Sequence, residues 1–188
     1  GMNNAQFLLD RRIPAGDWNT KTAQKDLNEM LKAKYPSAGN LVTWVSNYQV
    51  FFDTQKIDSL GLDYAAIKQD AVNLLKKNKM VQYACDMEKA SIESIPEEIK
   101  YRIINGYNHE RSGGVQVILK PAHYSNGMKG TTHGAWNGYD THIPLVFMGW
   151  GIQHGASTKP VYMTDIAPTV CALLHIQAPN GCIGEPIF

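Results

Sequence analysis

A polar loop in the second half of the chain holds the residues that could do chemistry. It contains two imidazoles, His133 and His142, with the carboxylate of Asp140 between them. Gly134 follows His133 and allows the backbone to approach a bound group closely, so His133 has the pattern of a metal ligand or of an imidazole that faces an anion. Asp140 could orient either ring through a hydrogen bond, since ligating imidazoles usually have such a partner.

These residues also have a purely structural explanation. A lone histidine in a loop more often makes a local hydrogen bond than binds a metal, and His142 could hold the loop in that way. An aspartate such as Asp140 is equally suited to an Asx turn. Trp136 and Tyr139 could line a substrate cleft or simply pack beneath the loop. Residue types and spacing alone therefore leave both interpretations open.

A second polar segment, Arg111-Ser112-Gly113-Gly114, could bind an anion. The arginine supplies a guanidinium, and the glycines expose backbone N–H groups. A β-turn that leads into the apolar run Val115–Leu119 explains the same residues and is the favoured interpretation.

The composition excludes several classes of protein. The 188 residues include 18 basic and 17 acidic side chains, so the charge balance gives no reason to expect binding to nucleic acid or to anionic membranes. The longest apolar run, within Ile143–Ile152, is too short to cross a bilayer. Three widely spaced cysteines, Cys85, Cys171 and Cys182, predict neither a disulfide framework nor a cysteine-based metal site.

Hydrophobic periodicity predicts a mixture of helices and strands in the first hundred residues. Residues 1–18 are predicted to be irregular, because a proline and a glycine interrupt them. The elements predicted after them are a helix from Asn19 or Thr20 to about Lys34, strands Leu41–Val45 and Gln49–Phe52 joined as a hairpin, a helix from Asp63 to about Lys77, a strand Met80–Cys85 and a helix after Pro96.

Two apolar runs and one helix are predicted in the remainder. Val115–Leu119 and Pro144–Met148 have the length and composition of strands, and the second is predicted to be buried on both faces. A helix is predicted from Thr164 through Leu174. Its core-facing residues are predicted to be Ile166, Val170, Leu173 and Leu174.

A series of short motifs follows in order along the chain: Asn105-Gly106-Tyr107-Asn108, Arg111-Ser112-Gly113, Lys120-Pro121, Gly130-Thr131-Thr132-His133-Gly134, Tyr139-Asp140-Thr141-His142-Ile143-Pro144-Leu145, Gly149-Trp150-Gly151, Thr164-Asp165-Ile166-Ala167-Pro168-Thr169 and Pro179-Asn180-Gly181-Cys182. In these motifs the chain resembles the C-terminal part of alkaline phosphatase superfamily enzymes. It is most similar to the bacterial threonine-nucleophile alkaline phosphatases, near the type I phosphodiesterase/nucleotide pyrophosphatases. The resemblance is dense from about Ile103 to Phe188 and looser before it.

This resemblance implies an α/β protein that corresponds to a C-terminal fragment of such an enzyme. Residues 1–18 would be a lead-in and residues 19–103 an α+β insertion. Residues 104–188 would supply the last strands and helix of the metal-binding phosphatase core. The resemblance also implies a periplasmic or secreted location.

Enzymes of this family hydrolyse phosphoric esters through a phospho-threonine intermediate and use two zinc ions, and the resemblance implies the same for the intact protein. His133 occupies the place of the family's late zinc-binding histidine, and His142 is the runner-up. Asp140, Thr132 and Arg111 are expected beside that ligand or in the cleft for the phosphate ester.

The family's other ligands include an Asp-His pair and an Asp-X-X-X-His segment, and this sequence contains neither. The nucleophile region also has no counterpart here. The isolated chain is therefore expected to be inactive and to bind zinc weakly or not at all.

The family usually has an acidic residue after Arg-Ser-Gly, where this chain has Gly114. Apolar surface left open by absent strands is expected to favour self-association.

Two alternatives remain open on the sequence alone. The chain could be a non-catalytic module whose His133 loop and Arg111 bind an anion, which metal-independent binding of phosphate would favour. It could also be a fragment of a related sulfatase, phosphodiesterase or phosphoglycerate mutase-like enzyme. The identity of the nucleophile would separate these enzymes from a phosphatase.

Overall fold

The computed structural model describes residues 4–125 and 127–188. The chain forms two compact units, one that extends to Ile143 and one that comprises Pro144–Phe188. No helix within these described ranges is long and apolar enough to span a bilayer. The helices are α1 (Ala5–Leu9), α2 (Thr20–Lys34), α3 (Thr54–Ser59), α4 (Tyr64–Leu75), α5 (Glu97–Gly106), α6 (Gly138–Thr141) and α7 (Ile166–Leu174), with short 3-10 helices at Pro36–Ala38, Met87–Ile92 and Met163–Asp165.

The strands are β1 (Gly16–Asp17), β2 (Val42–Ser46), β3 (Gln49–Phe52), β4 (Val81–Asp86), β5 (Val115–Leu119) and β6 (His123–Tyr124). A four-stranded antiparallel sheet forms the centre of the first unit, with strand order β2-β3-β5-β4. A separate pair of two-residue strands, β1 and β6, is parallel. The predicted hairpin and the predicted strand Val115–Leu119 are confirmed, and the strand predicted at Met80–Cys85 is found one residue later.

Helices α2 and α4 begin where the sequence predicts, because each has a side chain that caps its first turn. The Asn19 side chain accepts a hydrogen bond from the Thr22 N–H at 3.0 Å. The Asp63 carboxylate accepts bonds from the N–H groups of Ala65 and Ala66. Such caps satisfy N–H groups that have no partner within the helix. Both helices bury apolar side chains in the principal core, among them Leu27, Leu31, Ile67, Ala71 and Leu75.

A buried side chain of α2 hydrogen-bonds the backbone at the start of the edge strand β2. Asn28 accepts hydrogen bonds from the N–H groups of Leu41 and Val42 at 3.0 and 2.9 Å. Its amide donates to the Val42 carbonyl oxygen at 2.9 Å. Free backbone groups on an edge strand can pair with another chain. Asn28 therefore occupies three of them at the start of β2.

The other face of the sheet packs on α5 and on the 3-10 helix before it. Successive side chains of a strand point to opposite faces, so Val117 of β5 lies in the principal core while Ile118 belongs to a second apolar cluster. In that cluster Ile118 is joined by Ile99 and Ile103 of α5, with Trp136 packed against it. Helices thus cover both faces of the sheet, and this second cluster lies beneath the loop that carries His133 and Asp140, called the histidine loop below.

The prediction that residues 1–18 are irregular is wrong for α1. The Asn4 side chain accepts a hydrogen bond from the Phe7 N–H at 2.8 Å and so caps this short helix. The proline and glycine that motivated the prediction stand after the helix ends, so they do not interrupt it. Residues 1–3 lie outside the described part of the chain.

The predicted buried strand Pro144–Met148 is also wrong. These residues have no regular secondary structure, and Val146 and Met148 are 81% and 94% exposed. A strand buried on both faces requires neighbouring strands, and none pairs with this segment in the described residues. The exposed apolar side chains are those expected to favour self-association, which stays a prediction.

Helix α7 is confirmed, but its buried face differs from the predicted one. Pro168 and Thr169 are buried, whereas Val170 and Leu174 are exposed. Ile166 and Leu173 are half-buried. Thr169 is buried because its hydroxyl donates to the Asp165 carbonyl oxygen and accepts from the Ile187 N–H. Those bonds tie the final residues of the chain to the helix.

Candidate functional site

The two histidine-loop residues singled out by the sequence, His133 and Asp140, are in direct contact. Asp140 Oδ1 lies 2.7 Å from His133 Nδ1. The Asp140 side chain is 5% exposed, whereas that of His133 is 90% exposed. A buried carboxylate therefore holds an imidazole that projects into solvent.

The second carboxylate oxygen of Asp140 binds the loop backbone. Asp140 Oδ2 accepts hydrogen bonds from the N–H groups of Gly134 and Ala135, each at 2.9 Å. Gly134 has a φ of +103°, a conformation that side-chain-bearing residues rarely adopt. The glycine after His133 therefore allows the tight turn that brings the backbone onto Asp140.

Helix α6 places Asp140 in this position. The helix follows Asn137, and the Tyr139 hydroxyl links it to two other parts of the chain. The Tyr139 hydroxyl accepts from the Ala122 N–H at 2.8 Å and from Asn137 Nδ2 at 3.0 Å. Trp136 also supports the loop, since its indole N–H donates to the Leu119 carbonyl oxygen at 3.2 Å. The loop is thus bound to the end of β5.

The contact with Asp140 decides which nitrogen of His133 is available. A carboxylate can only accept a hydrogen bond, so Nδ1 of His133 carries the proton. In the neutral ring, Nε2 then has a free lone pair. Imidazoles that bind metals commonly have this arrangement, in which a carboxylate fixes the tautomer and the direction of the ring.

His133 and Asp140 do not form a complete metal site. Within residues 4–125 and 127–188, no group of three or more His, Cys, Asp or Glu side chains could hold a metal ion. Zinc usually needs about four ligands. The donor chemistry fits one zinc ligand, Nε2 of His133, with Asp140 oriented as its hydrogen-bond partner.

The other predicted site residues are placed differently. The Thr132 hydroxyl donates to the His133 carbonyl oxygen at 3.3 Å, so this residue stabilises the loop locally. His142 is exposed just after α6, and within residues 4–125 and 127–188 its ring forms no ion pair like that of His133 with Asp140. Arg111 is exposed and lines a different cavity from His133. The structure therefore brings together His133, Asp140 and Thr132 but not Arg111.

A cavity of about 540 Å³ adjoins the loop. Its walls include His133 and Asp140 together with Ile99, Ile103 and Ile118 of the second apolar cluster. The isoleucines were not predicted as site residues. Their spacing showed an ordinary buried helix face and strand, and only the packing of the loop over them makes the cavity.

A buried charged cluster beside the Arg111 segment was also missed. Lys68 Nζ lies 2.9 Å from Asp86 Oδ1, and both side chains are almost fully buried. Lys68 also contacts Glu88, and this hydrogen bond lowers the pKa of the Glu88 carboxyl. A lysine four residues after Tyr64, on the apolar side of α4, was the sequence signal for such a cluster.

Gly114 packs directly against that cluster. A Cβ atom at position 114 would lie 2.3 Å from the Tyr64 hydroxyl oxygen and 3.0 Å from Lys68 Cδ. An acidic side chain at this position would collide with the same atoms. The packing of Tyr64 and Lys68 therefore favours glycine at position 114.

No family model matches the chain, but curated proteins and solved structures do. The alkaline phosphatase PafA of Elizabethkingia meningoseptica is 44% identical over 182 residues, which are 96% of this chain and 33% of that protein. The crystal structure of wild-type alkaline phosphatase PafA matches with a TM-score of 0.90 and 43% identity, over 98% of this chain and 35% of that one. The resemblance to alkaline phosphatases is confirmed.

Two further relatives have the same level of similarity. The alkaline phosphatase PhoV of Synechococcus elongatus is 44% identical over 187 residues, which are 100% of this chain and 34% of that protein. A protein named calcium-transporting ATPase, from Myroides odoratus, is also 44% identical over 187 residues, 98% of this chain and 34% of that protein. The chain thus spans about a third of the length of the alkaline phosphatases and other relatives that it matches. The predicted fold class, part of an α/β alkaline-phosphatase-like fold, is confirmed by the match to PafA.

Proposed function

We propose that the chain is the C-terminal portion of a zinc-dependent phosphatase, which in its intact form hydrolyses phosphoric esters through a phospho-threonine intermediate. Similarity to alkaline phosphatases over almost the whole chain supports this proposal. In this scheme residues 19–103 are an insertion, and residues 104–188 belong to the metal-binding core.

The observation that carries the proposal is the contact between His133 and Asp140. This contact leaves the Nε2 lone pair of His133 free on an exposed ring whose direction is fixed. His133 would hold zinc together with ligands from the remainder of the protein. A bound zinc ion would supply Lewis-acid stabilisation of the charge on the phosphoryl oxygens. His142 remains the second candidate, although no carboxylate in the described part of the chain orients it.

The chain's own residues would prepare the ligand rather than react. Asp140 keeps the proton on Nδ1 of His133, so the metal-binding nitrogen needs no rearrangement before it acts. The two N–H groups of Gly134 and Ala135 hold Asp140 in place. Because the isolated chain offers one such ligand, zinc affinity that depends on several ligands is not expected of it.

The first test uses the isolated chain. With zinc added, it is expected to hydrolyse p-nitrophenyl phosphate no faster than its His133→Ala variant. The physical reason is that the sequence contains neither the family's other metal-ligand motifs nor its threonine nucleophile region. Turnover well above that variant would contradict the proposal for the fragment.

The second test uses the intact protein and compares two histidines of one loop. His133→Ala is expected to lower the bound zinc, measured by elemental analysis, and to reduce activity by about 10-fold or more. His142→Ala is the matched control and is expected to keep its zinc. The proposal fails if both variants retain full zinc, or if only His142→Ala loses it.

A further inference from the structure

The cavity beside His133 has a floor of apolar side chains. Met87, Ile99, Ile103 and Ile118 line it, and each of them is less than one-tenth exposed. Trp136 adds an aromatic wall. Small-molecule sites are commonly concave and mostly apolar, with volumes of about 300–1,000 Å³. At about 540 Å³ this cavity falls within that range.

The polar side chains of the cavity walls are already bonded to the protein. Gln116 donates to the Tyr48 carbonyl oxygen at 3.0 Å, and Gln49 accepts from the Gly113 N–H at 2.8 Å. Arg102 donates to the Trp136 carbonyl oxygen at 3.3 Å. Arg102 uses only one of its guanidinium N–H groups in this way and is exposed, so it keeps further donors that could face an anionic group. The apolar floor, in contrast, favours an apolar part of the occupant.

His133 also lines the cavity. Its Nε2 has no partner in the Asp140 contact, and its ring is exposed. With zinc held at Nε2 of His133 in the intact protein, a ligand with an anionic group at one end would place that end on the imidazole side and its apolar part against the isoleucines. A phosphate ester of an aromatic alcohol has this division of polarity.

We propose that this cavity binds the aromatic group of a phosphate ester whose phosphoryl group lies on the His133 side. The inference rests on the proposed function for its phosphate end, but the aromatic end depends only on the cavity. Its failure and that of the zinc assignment can therefore be separated. Binding of the aromatic group alone is measured without zinc, and zinc content is measured without an aromatic ligand.

The test titrates the full 188-residue chain with 1-naphthol and 1-naphthyl phosphate, without metal, and records the indole N–H signals by NMR. The chain has four tryptophans. Trp136 lines the cavity, and the other three serve as internal controls. Both probes are expected to shift the Trp136 signal saturably and to leave Trp18, Trp44 and Trp150 unmoved. Methyl phosphate, which lacks an aromatic group, is expected to shift none of them.

Two matched glycine substitutions locate the binding. Gly106 lines the cavity, and a Cβ at this position would meet no atom within 4 Å. Gly106→Phe should therefore add an aromatic ring beside the cavity without a backbone clash and weaken the Trp136 shift. Gly155 is equally open but does not line the cavity. Gly155→Phe is expected to bind as the unmodified chain does.

A His133→Ala variant separates the aromatic site from the metal ligand. It is expected to retain the 1-naphthol shift at Trp136, because the apolar floor does not include the imidazole. The proposal is overturned if Trp136 does not respond, if all four indoles shift together, or if Gly106→Phe binds as tightly as Gly155→Phe. Loss of the 1-naphthol shift in His133→Ala would also overturn it.

Discussion

Replacement of Gly114 by alanine tests the packing beneath the Arg111 segment. The added methyl group would lie 2.3 Å from the Tyr64 hydroxyl oxygen and 3.2 Å from Phe52 Cδ2, whereas ordinary contacts of such an atom are 3.4–4 Å. Tyr64 cannot turn away freely. Its ring packs edge-on against Phe52 with the ring centroids 5.6 Å apart, and Lys68 lies over its face.

Forcing an extra methyl group into such a site costs about 1–3 kcal/mol of the free energy of unfolding. In a chain of this size each kcal/mol lowers Tm by about 2–4 °C. Gly114→Ala is therefore expected to lower Tm by roughly 4–8 °C for a loss of about 2 kcal/mol, measured by thermal unfolding followed by circular dichroism.

Removal of the Tyr64 hydroxyl should relieve most of this clash. The Gly114→Ala, Tyr64→Phe double variant is expected to regain most of the lost Tm. Gly113→Ala is the contrast, because its methyl group would lie 2.6 Å from the backbone carbonyl oxygen of Val50. Tyr64→Phe cannot relieve that contact. The reasoning is refuted if Gly114→Ala unfolds like the unmodified chain, or if Tyr64→Phe rescues both glycine variants equally.

The remaining predictions concern buried polar groups. Lys68→Met leaves the Asp86 carboxylate buried without its ion pair, so the free energy of unfolding is expected to fall by about 3–5 kcal/mol in urea titrations. Lys25→Met removes an exposed pair and should change it by less than about 1 kcal/mol; equal losses would contradict the reasoning. The hydrogen bond from Lys68 lowers the pKa of the Glu88 carboxyl. The contribution of this bond to the free energy of unfolding is therefore present above the ordinary pKa of 4.5 and is lost as the pH falls through the lowered pKa. Glu88→Gln should therefore weaken the loss of stability as the pH falls below 4.5, and an unchanged slope would count against this. Asn28→Ala removes the partner of the Leu41 and Val42 N–H groups, while the Val42 carbonyl oxygen keeps a bond from Gln24, and should cost about 2 kcal/mol or more, with Lys25→Ala in the same helix as its neutral comparison in the urea titrations.

Elements whose signals are local were predictable from the sequence. Asn19 and Asp63 cap helices through bonds to residues two or three positions away, so the relevant partners stand in the same short stretch. The strand at Val115–Leu119 was predictable because its apolar residues are dense enough to be buried in any arrangement. These elements depend on local interactions, so they can be predicted without knowledge of the tertiary contacts.

Elements that need distant partners were not predictable in the same way. The run from Pro144 to Met148 has the composition of a buried strand, but a strand forms only against neighbours. The face of α7 was misassigned because Thr169 is buried through bonds to Asp165 and Ile187, which no helical period can reveal. The link between Lys68 and Asp86 joins residues 18 positions apart.

The candidate site shows the same division. His133 and Asp140 were candidates by their types and spacing, and the family resemblance favoured His133 as the metal ligand. Their contact was one of the possibilities left open, beside a contact of Asp140 with His142 and an Asx turn. The cavity was not identified, because Ile103 and Ile118 come from a helix and a strand that only the folded sheet brings together.

Asp140 gives the loop a mechanical property. One oxygen accepts hydrogen bonds from the backbone of Gly134 and Ala135, and the other bonds the ring of His133. The conformation of the turn and the orientation of the imidazole therefore depend on the same carboxylate. Loss of the Asp140 carboxylate would therefore remove the support of the turn and of the imidazole at the same time.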